Sequence, residues 1–154
     1  MDIKIKTNDI KFKFRVSAII INDKKILVNK YSEDSFCLPG GYVKVGEKSE
    51  DAIIREIKEE TGLDFKVIRL GGITENFFTN LRGEKTHGID FYYYLKTKNS
   101  KEIDKLEMNY IENNKIYHHY RWIPLDEMEK YNILPNVIKK HINEDKIFHF
   151  VACE

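Results

Sequence analysis

The chain has 154 residues, 42% of them hydrophobic and 33% charged, which suits one globular domain with a sizeable core. Lys and Arg number 26 against 25 Asp and Glu, so the formal net charge is +1. That balance excludes an overall electrostatic reason to expect nucleic acid or an anionic membrane as the main partner. Two cysteines make no disulfide framework, and no apolar stretch approaches the roughly 20 residues of a membrane span. We therefore expect one cytoplasmic domain over residues 1–154.

The chain begins with two predicted strands and a sharp bend. Residues 14–22 form a β-branched run typical of a buried strand. A turn at residues 22–25 then predicts that residues 26–31 return as its partner. The Pro-Gly-Gly cluster at residues 39–41 predicts a loop or a sharp bend.

Residues 49–61 predict a helix. Ser49 suits the N-cap, and Gly62 stands where a left-handed C-cap glycine belongs. The core-facing positions recur with helical spacing: Ile53, Ile54, Ile57 and Thr61. This helix therefore packs one face on the core.

The rest of the chain alternates strands with short helices. Strands are predicted at residues 66–74, 87–95, 120–123 and 147–152, the last as an edge strand, with helices at 125–130 and 135–142. A hairpin turn is expected around residues 81–83, and residues 96–115 read as a long polar excursion. The interleaving predicts an α/β fold with a mixed sheet covered by helices.

Three carboxylates crowd the end of the predicted helix. Glu56 and Glu60 lie roughly 40° apart on one face, and Glu59 is about 60° further round. Like charges at these spacings repel, and carboxylates in a last turn oppose the helix dipole. A hard divalent cation would offset both effects, and magnesium is commonly held by a few carboxylates plus substrate phosphates. The alternative is a solvated acidic face.

The wider pattern around these glutamates is specific. Residues 41–63 match G-x5-E-x7-R-E-U-x-E-E-x-G-U at every specified position, where U is bulky and apolar. This is the Nudix box, so the chain resembles a Nudix hydrolase. The resemblance implies an α/β/α sandwich with a mixed sheet. It also implies magnesium-dependent hydrolysis of a phosphoanhydride in a nucleoside diphosphate linked to another moiety, with manganese as an alternative ion.

The resemblance also implies roles for the residues of the box. Glu56, Glu59 and Glu60 would bind the metal, assisted by a backbone carbonyl at Gly41. Glu59 is the first candidate to orient or deprotonate the attacking water, although which carboxylate is the base stays open. Catalysis would then rest on Glu59, Glu56 and Arg55. Arg55 would pair with Glu47 to hold the glutamates in place, since metal ligands need orienting partners.

Outside the box, the candidate substrate contacts are Arg15, Lys30 and Phe77. Arg15 and Lys30 lie on the first two strands, where relatives often contact phosphates, and solvated strand charges are the alternative. Phe77 could stack on a base or belong to the hairpin core. Of the run at residues 92–94, at most Tyr92 and Tyr94 can share a cleft, because side chains alternate along a strand.

The sequence leaves the substrate open within small nucleotide-like molecules. The proline that marks ADP-ribose hydrolases would fall near Phe78, and the tyrosine of dinucleoside-polyphosphate hydrolases near Asn80; neither is present. Two other classes are a catalytically silent ligand-binding or regulatory module and a structural calcium or manganese protein. The intact box argues against the first, and the adjoining Gly-Gly bend against the second. A homodimer is left open.

Overall fold

The computed structural model describes residues 1–99, 101–106, 109–112 and 115–153. In those ranges the elements are β1 (Lys4–Lys6), β2 (Ile10–Asn22), β3 (Lys25–Ser32), β4 (Ser35–Cys37), β5 (Gly40–Tyr42), α1 (Ser49–Thr61), β6 (Phe65–Thr79), β7 (Lys85–Thr97), β8 (Asn109–Glu112), β9 (Lys115–Pro124), β10 (Ile133–Leu134) and β11 (Phe148–Cys153). Three 3₁₀ helices span Ile103–Leu106, Leu125–Lys130 and Asn136–Lys140. No helix in these ranges is both long enough and apolar enough to cross a membrane.

The strands form one mixed sheet built around β2. β2 pairs in parallel with β7, antiparallel with β3 near its end, and antiparallel with β5 in its middle. β6 and β7 form the predicted hairpin, and β11 adds to β6 in parallel as the expected terminal strand. Because β2 has partners on both sides, residues 15–17 lie between β5 and β7.

Side chains on β2 alternate between two cores. Val16, Ala18 and Ile20 face α1, whereas Ile19 belongs to the cluster on the other side of the sheet. That second cluster is closed by the 3₁₀ helices, which bury Met128 and Ile138. The α/β fold and its mixed sheet are therefore confirmed, and 3₁₀ helices form the second helical layer.

Two local predictions were wrong, the first of them in part. A loop or a sharp bend was predicted at residues 39–41; the chain bends at Pro39, but Gly40 and Gly41 belong to strand β5. Gly40 fits there because a side chain would overlap the Val16 carbonyl of β2. Ser49 does not cap α1: the N-cap is Lys48, without a side-chain bond, and the Ser49 hydroxyl instead lies 2.6 Å from the Tyr93 hydroxyl.

The other end of α1 follows the prediction. Gly62 adopts a left-handed conformation, with φ of 73°, and its backbone N–H donates to the Lys58 carbonyl. A residue with a Cβ rarely takes that conformation, so the glycine ends the helix. The predicted polar excursion at residues 96–115 contains the first 3₁₀ helix and β8, and part of it lies outside the described residues.

Candidate active site

The last two turns of α1 carry the three glutamates beside strand β5. Glu56 and Glu60 are partly buried, whereas the Glu59 side chain is 58% exposed. Gly41 of β5 lies directly against Glu56, because a methyl group added there would overlap the Glu56 carboxylate. The glycine therefore lets the Glu56 carboxylate approach the strand closely.

Arg55 holds this end of the helix to the preceding loop. Its Nε and one terminal nitrogen donate to the two oxygens of Glu47 at 2.7 and 3.0 Å. Its other terminal nitrogen donates to Glu56 at 2.8 Å and lies 3.5 Å from a Glu59 oxygen. The Tyr42 carbonyl of β5 accepts a further bond at 3.0 Å. One guanidinium thus fixes Glu47 and Glu56 relative to β5.

Glu47 is the most strongly stabilised carboxylate of this group. It also accepts a hydrogen bond from the Lys44 backbone N–H at 2.9 Å. Hydrogen bonds from Arg55 and then from Lys44 outweigh the effect of burial and lower the pKa of Glu47 to about 2. Glu47 is therefore ionised throughout the physiological range, as expected for a residue that orients Arg55.

Glu60 has the opposite electrostatic character. Burial raises its pKa to about 7, with the negative charges of Glu56 and Glu59 acting in the same direction. The Tyr120 hydroxyl donates to Glu60 at 2.5 Å and, together with the positive charge of Arg15, opposes that rise. A positive ion beside these carboxylates would favour the ionised form of all three.

The residues fit a divalent cation with oxygen ligands. Glu56, Glu59 and Glu60 supply carboxylates from adjacent turns, and Gly41 keeps a side chain out of the space beside Glu56. Within the described ranges, no three His, Cys, Asp or Glu side chains form a complete ready-made cage. Magnesium does not require one, because it keeps several waters and takes further ligands from substrate phosphates.

A cavity of about 320 Å³ opens on the other side of β2 from α1. Phe77, Phe78, Tyr92, Leu134 and Pro135 form much of its apolar lining, and its polar lining includes Arg15, Ser17, Asn76 and Asp90. Of the predicted substrate contacts, Arg15 and Phe77 line the cavity, and the Phe77 ring is stacked on His87 with 4.3 Å between the ring centres. Lys30 is exposed on β3 and does not line the cavity. Tyr42 of β5 links the cavity to α1, because its ring lies 5.4 Å from the Arg15 guanidinium and its carbonyl accepts a hydrogen bond from Arg55.

Asp90 is a cavity residue that sequence reasoning missed. It lies opposite Arg15 in the register of β2 and β7, and both its oxygens lie within 3.0 Å of the Ser17 hydroxyl. Burial raises the pKa of Asp90 to about 6, although Arg15 and the hydroxyls of Ser17 and Tyr92 oppose the rise. The alternation of residues 90, 92 and 94 was visible, but the parallel pairing of β7 with β2 was not.

Two further carboxylates, Glu75 and Glu112, are of the residue type that could supply an extra metal ligand. Glu75 lies on β6, where one of its oxygens is 3.0 Å from Nε2 of His149 on β11, so its described contact is away from α1. Glu112 ends β8, and its side chain lies outside the described part of the chain. The described contact of Glu75 therefore brings no further ligand to the glutamates of α1.

Comparison with known proteins gives consistent matches. A model of the NUDIX domain matches residues 11–143. The chain is 43% identical over 84 residues to an ADP-ribose pyrophosphatase of Methanocaldococcus jannaschii, covering 52% of this chain and 48% of the relative. It is 38% identical over 61 residues to an RNA pyrophosphohydrolase of Ruthia magnifica, covering 38% of this chain and 34% of the relative. The chain thus spans about half the length of the first relative and a third of the second.

Solved structures agree on the fold. A mutator MutT protein from Bacillus halodurans superposes with a TM-score of 0.62 at 19% identity, over 90% of each chain. That likeness concerns the fold alone, whereas the NUDIX domain match spans most of the sequence and includes the complete box of α1. The chain belongs to the Nudix hydrolase family.

Proposed function

We propose that this chain is a magnesium-dependent pyrophosphohydrolase that cuts the phosphoanhydride of a nucleoside diphosphate linked to another moiety. The observation that carries the proposal is the arrangement of Glu56 between Arg55 and the side-chain-free Gly41. A surface carboxylate with no role would not require a glycine against it. The manganese ion, with similar oxygen ligands, is the natural substitute for magnesium.

Glu56, Glu59 and Glu60 would hold the metal, with the Gly41 backbone beside them. When bound, the metal supplies charge neutralisation at the phosphate oxygens and lowers the pKa of a water molecule. Arg55 holds the Glu56 carboxylate in one orientation through the bond at 2.8 Å. Tyr120 holds the Glu60 carboxylate in one orientation by donating a hydrogen bond from its hydroxyl group.

Glu59 is the candidate that orients the attacking water or accepts its proton. Its side chain is the most exposed of the three, and its contact with Arg55 is the longest, at 3.5 Å. A carboxylate that must reach a water molecule needs this freedom more than the two held glutamates do. The proton would pass from the water oxygen to the Glu59 carboxylate as the oxygen attacks phosphorus, and the bond from that phosphorus to the bridging oxygen would break, so that the bridging oxygen leaves with the other phosphate.

ADP-ribose is the first candidate substrate. The relative that shares 43% identity with this chain is named an ADP-ribose pyrophosphatase. The marker proline of such enzymes is absent near Phe78, which argues for testing several nucleotides together. The adjoining cavity supports a nucleotide, because apolar and aromatic walls with a few polar groups are typical of small-molecule sites. Arg15 and Phe77 are the proposed substrate contacts there.

The test is a nucleotide panel with a coupled phosphatase, with and without magnesium. ADP-ribose, nucleoside triphosphates, nucleotide sugars and a 5′-triphosphorylated RNA should be compared at equal concentration. We expect release of phosphate from at least one diphosphate derivative, only with the metal. Undiminished hydrolysis by both Glu59→Gln and Glu60→Gln would remove the catalytic role from these residues.

The alternative hypothesis is that the protein is a catalytically silent ligand-binding module. Such a protein would bind one member of the panel and hydrolyse none, with or without metal. The complete set of box carboxylates on α1 favours the enzyme, because a binding module has no use for a water-activating base.

A further inference from the structure

The floor of the cavity is built from alternate residues of two parallel strands. Lys13, Arg15 and Ser17 of β2 lie in register with Gly88, Asp90 and Tyr92 of β7, and all six line the cavity. Alternation along a strand puts such residues on one face of the sheet. Gly88 adds no side chain, so the sheet backbone is open beside the Asp90 carboxylate.

Asp90 has hydrogen-bonding capacity that the protein does not use up. Its carboxylate accepts from the Ser17 hydroxyl and interacts with the Tyr92 hydroxyl. An ionised carboxylate has about four acceptor positions, so roughly half are left for other donors. In the described residues no ion pair joins Asp90 to Arg15, although the two are neighbours in register.

Arg15 beside it has the complementary deficit. Its Nε is buried and has no hydrogen-bond partner among the described residues. Its guanidinium lies 5.4 Å from the centre of the Tyr42 ring. The ring attracts the cation but is not a hydrogen-bond partner of Nε. Buried polar groups are normally paired. Arg15 and Asp90 therefore lie next to each other, both line the cavity, and each has hydrogen-bonding capacity that the described residues do not fill.

The walls indicate which ligand would complete these bonds. Phe78 on β6 shares the face of Asp90 and gives aromatic surface, and Leu134 and Pro135 add further apolar lining. Flat heterocycles stack on such surfaces while their edges bond to polar groups, as extruded nucleobases do in enzyme pockets. An amino-substituted base offers a donor next to a ring-nitrogen acceptor, which matches Asp90 next to Arg15.

We propose that Asp90 is a specificity-determining residue of this cavity, whose carboxylate accepts a hydrogen bond from the amino group of the substrate's nucleobase. Arg15 donates to the neighbouring ring nitrogen. This inference rests on the proposed function, since the diphosphate of the same ligand would reach the glutamates of α1. It predicts that a base with a carbonyl oxygen in place of the amino group binds poorly, because two acceptors then face each other.

The test uses ADP-ribose and inosine 5′-diphosphoribose, which differ in that amino group. Calorimetric titration in EDTA measures binding without hydrolysis, and kcat/KM with magnesium measures turnover. We expect the adenosine ligand to bind about tenfold more tightly or better, the scale of one good base contact. The same preference should appear in KM and not in kcat, because Asp90 is remote from the reacting phosphorus.

Asp90→Asn should abolish or reverse the preference, because an amide can donate to the carbonyl oxygen of the inosine ligand. Asp126→Asn, an exposed substitution outside the cavity, is the matched control and should keep it. Equal affinity of the wild-type protein for the two ligands would overturn the proposal without any variant. An equal loss for both ligands in Asp90→Asn would also overturn it and indicate a structural role.

These outcomes separate the inference from the proposed function. If the protein hydrolyses neither ligand but still distinguishes the two in EDTA, the contact of Asp90 with the base is supported and the proposed hydrolase function is contradicted. If the protein hydrolyses both ligands equally well, the proposed hydrolase function is supported and the role of Asp90 in specificity is contradicted.

Discussion

Two arginines of this protein lie beside carboxylates, and their surroundings differ in one instructive respect. Arg55 donates to Glu47, Glu56 and the Tyr42 carbonyl, so its guanidinium is well satisfied. Arg15 lies next to Asp90 in register, yet its Nε has no partner in the described part of the chain. The first arrangement fixes the geometry of the carboxylates, and the second leaves polar groups without full partners.

The carboxylates report the same difference. Arg55 and a backbone N–H lower the pKa of Glu47 to about 2, whereas burial raises the pKa of Asp90 to about 6 despite Arg15. Proximity to a cation therefore does not decide the charge state alone; for Glu47 the hydrogen bonds from Arg55 outweigh burial, whereas for Asp90 burial outweighs the hydrogen bonds it accepts. Strand β5 joins the two regions, because the Tyr42 carbonyl bonds to Arg55 and its ring lies near Arg15.

The largest expected effect is on catalysis at the site formed by Arg55 and the glutamates of α1. Glu56→Gln should lower kcat/KM at least about a hundredfold, since it removes a proposed metal ligand, and a bound metal contributes several kcal/mol in the transition state. The fold of the metal-free protein should persist, because a repulsive charge at the end of α1 is removed. Steady-state kinetics and thermal melting measure both effects. Glu50→Gln, in the exposed first turn of α1, should change neither, and loss of folding in Glu56→Gln would favour a structural role.

Replacing Arg55 tests whether its guanidinium holds Glu47 and Glu56 in place. Arg55→Met keeps the aliphatic stem but leaves Glu47 and Glu56 without their cation, so we expect unfolding to become easier by about 3 kcal/mol. Activity should fall by about 10- to 100-fold, as for residues that orient metal ligands. Urea denaturation and kinetics give both values, with exposed Arg82→Met as the control. An unchanged kcat/KM would show that Arg55 does not position Glu56.

The opposite pKa shifts predict opposite pH dependences of stability. The folded pKa of Asp90 lies above its ordinary value of 3.8, so its stabilising contribution is complete below about pH 4 and is lost as the pH rises through 6. Asp90→Asn should therefore gain stability relative to the wild type between pH 4 and 7, on the order of 2 kcal/mol. Urea denaturation at several pH values measures this difference.

Glu47 provides the contrasting arm of that experiment. Its folded pKa is depressed, so its contribution is present above about pH 4.5 and is lost as the pH falls toward 2. Glu47→Gln should lower stability most at neutral pH, and the deficit should shrink in acid. Parallel pH profiles for the two variants would contradict the distinction between the regions.

The smallest expected effect concerns the strand between the two arginines. Tyr42→Leu removes the ring near Arg15 but keeps the carbonyl that bonds to Arg55, so stability should fall by about 0.5–1 kcal/mol. Tyr42→Phe keeps the ring and should match the wild type. Urea denaturation of both variants separates the ring from the backbone, and an equal loss in both would show that the hydroxyl matters instead.

The sequence allowed prediction of the residues around Arg55 on α1, but not of the pairing of Arg15 with Asp90 on the cavity floor. Glu47, Arg55 and the three glutamates lie within one short segment, where helical spacing and a local motif determine which side chains meet. The Gly62 cap followed from the same local chemistry. Arg15 and Asp90 lie far apart in the chain, and their proximity depends on the parallel register of β2 with β7.

Other errors have the same origin. The Gly-Gly bend became strand β5 because Gly40 can approach the Val16 carbonyl of β2, a contact between distant segments. Ser49 lost its expected capping role because the Tyr93 hydroxyl of β7 competes for it. Lys30 is exposed on β3 and lies outside the cavity lining, so a phosphate contact by Lys30 stays a prediction. Local patterns predicted elements, and tertiary pairing decided their partners.

Binding of manganese, followed by electron paramagnetic resonance of the free ion, tests the central claim most directly. The wild-type protein should remove free manganese from solution in a saturable manner, more tightly when a nucleoside diphosphate is present. The double variant Glu56→Gln/Glu60→Gln should leave the ion free at the same concentrations while remaining folded. Equal binding by the two proteins would show that these carboxylates do not hold the metal.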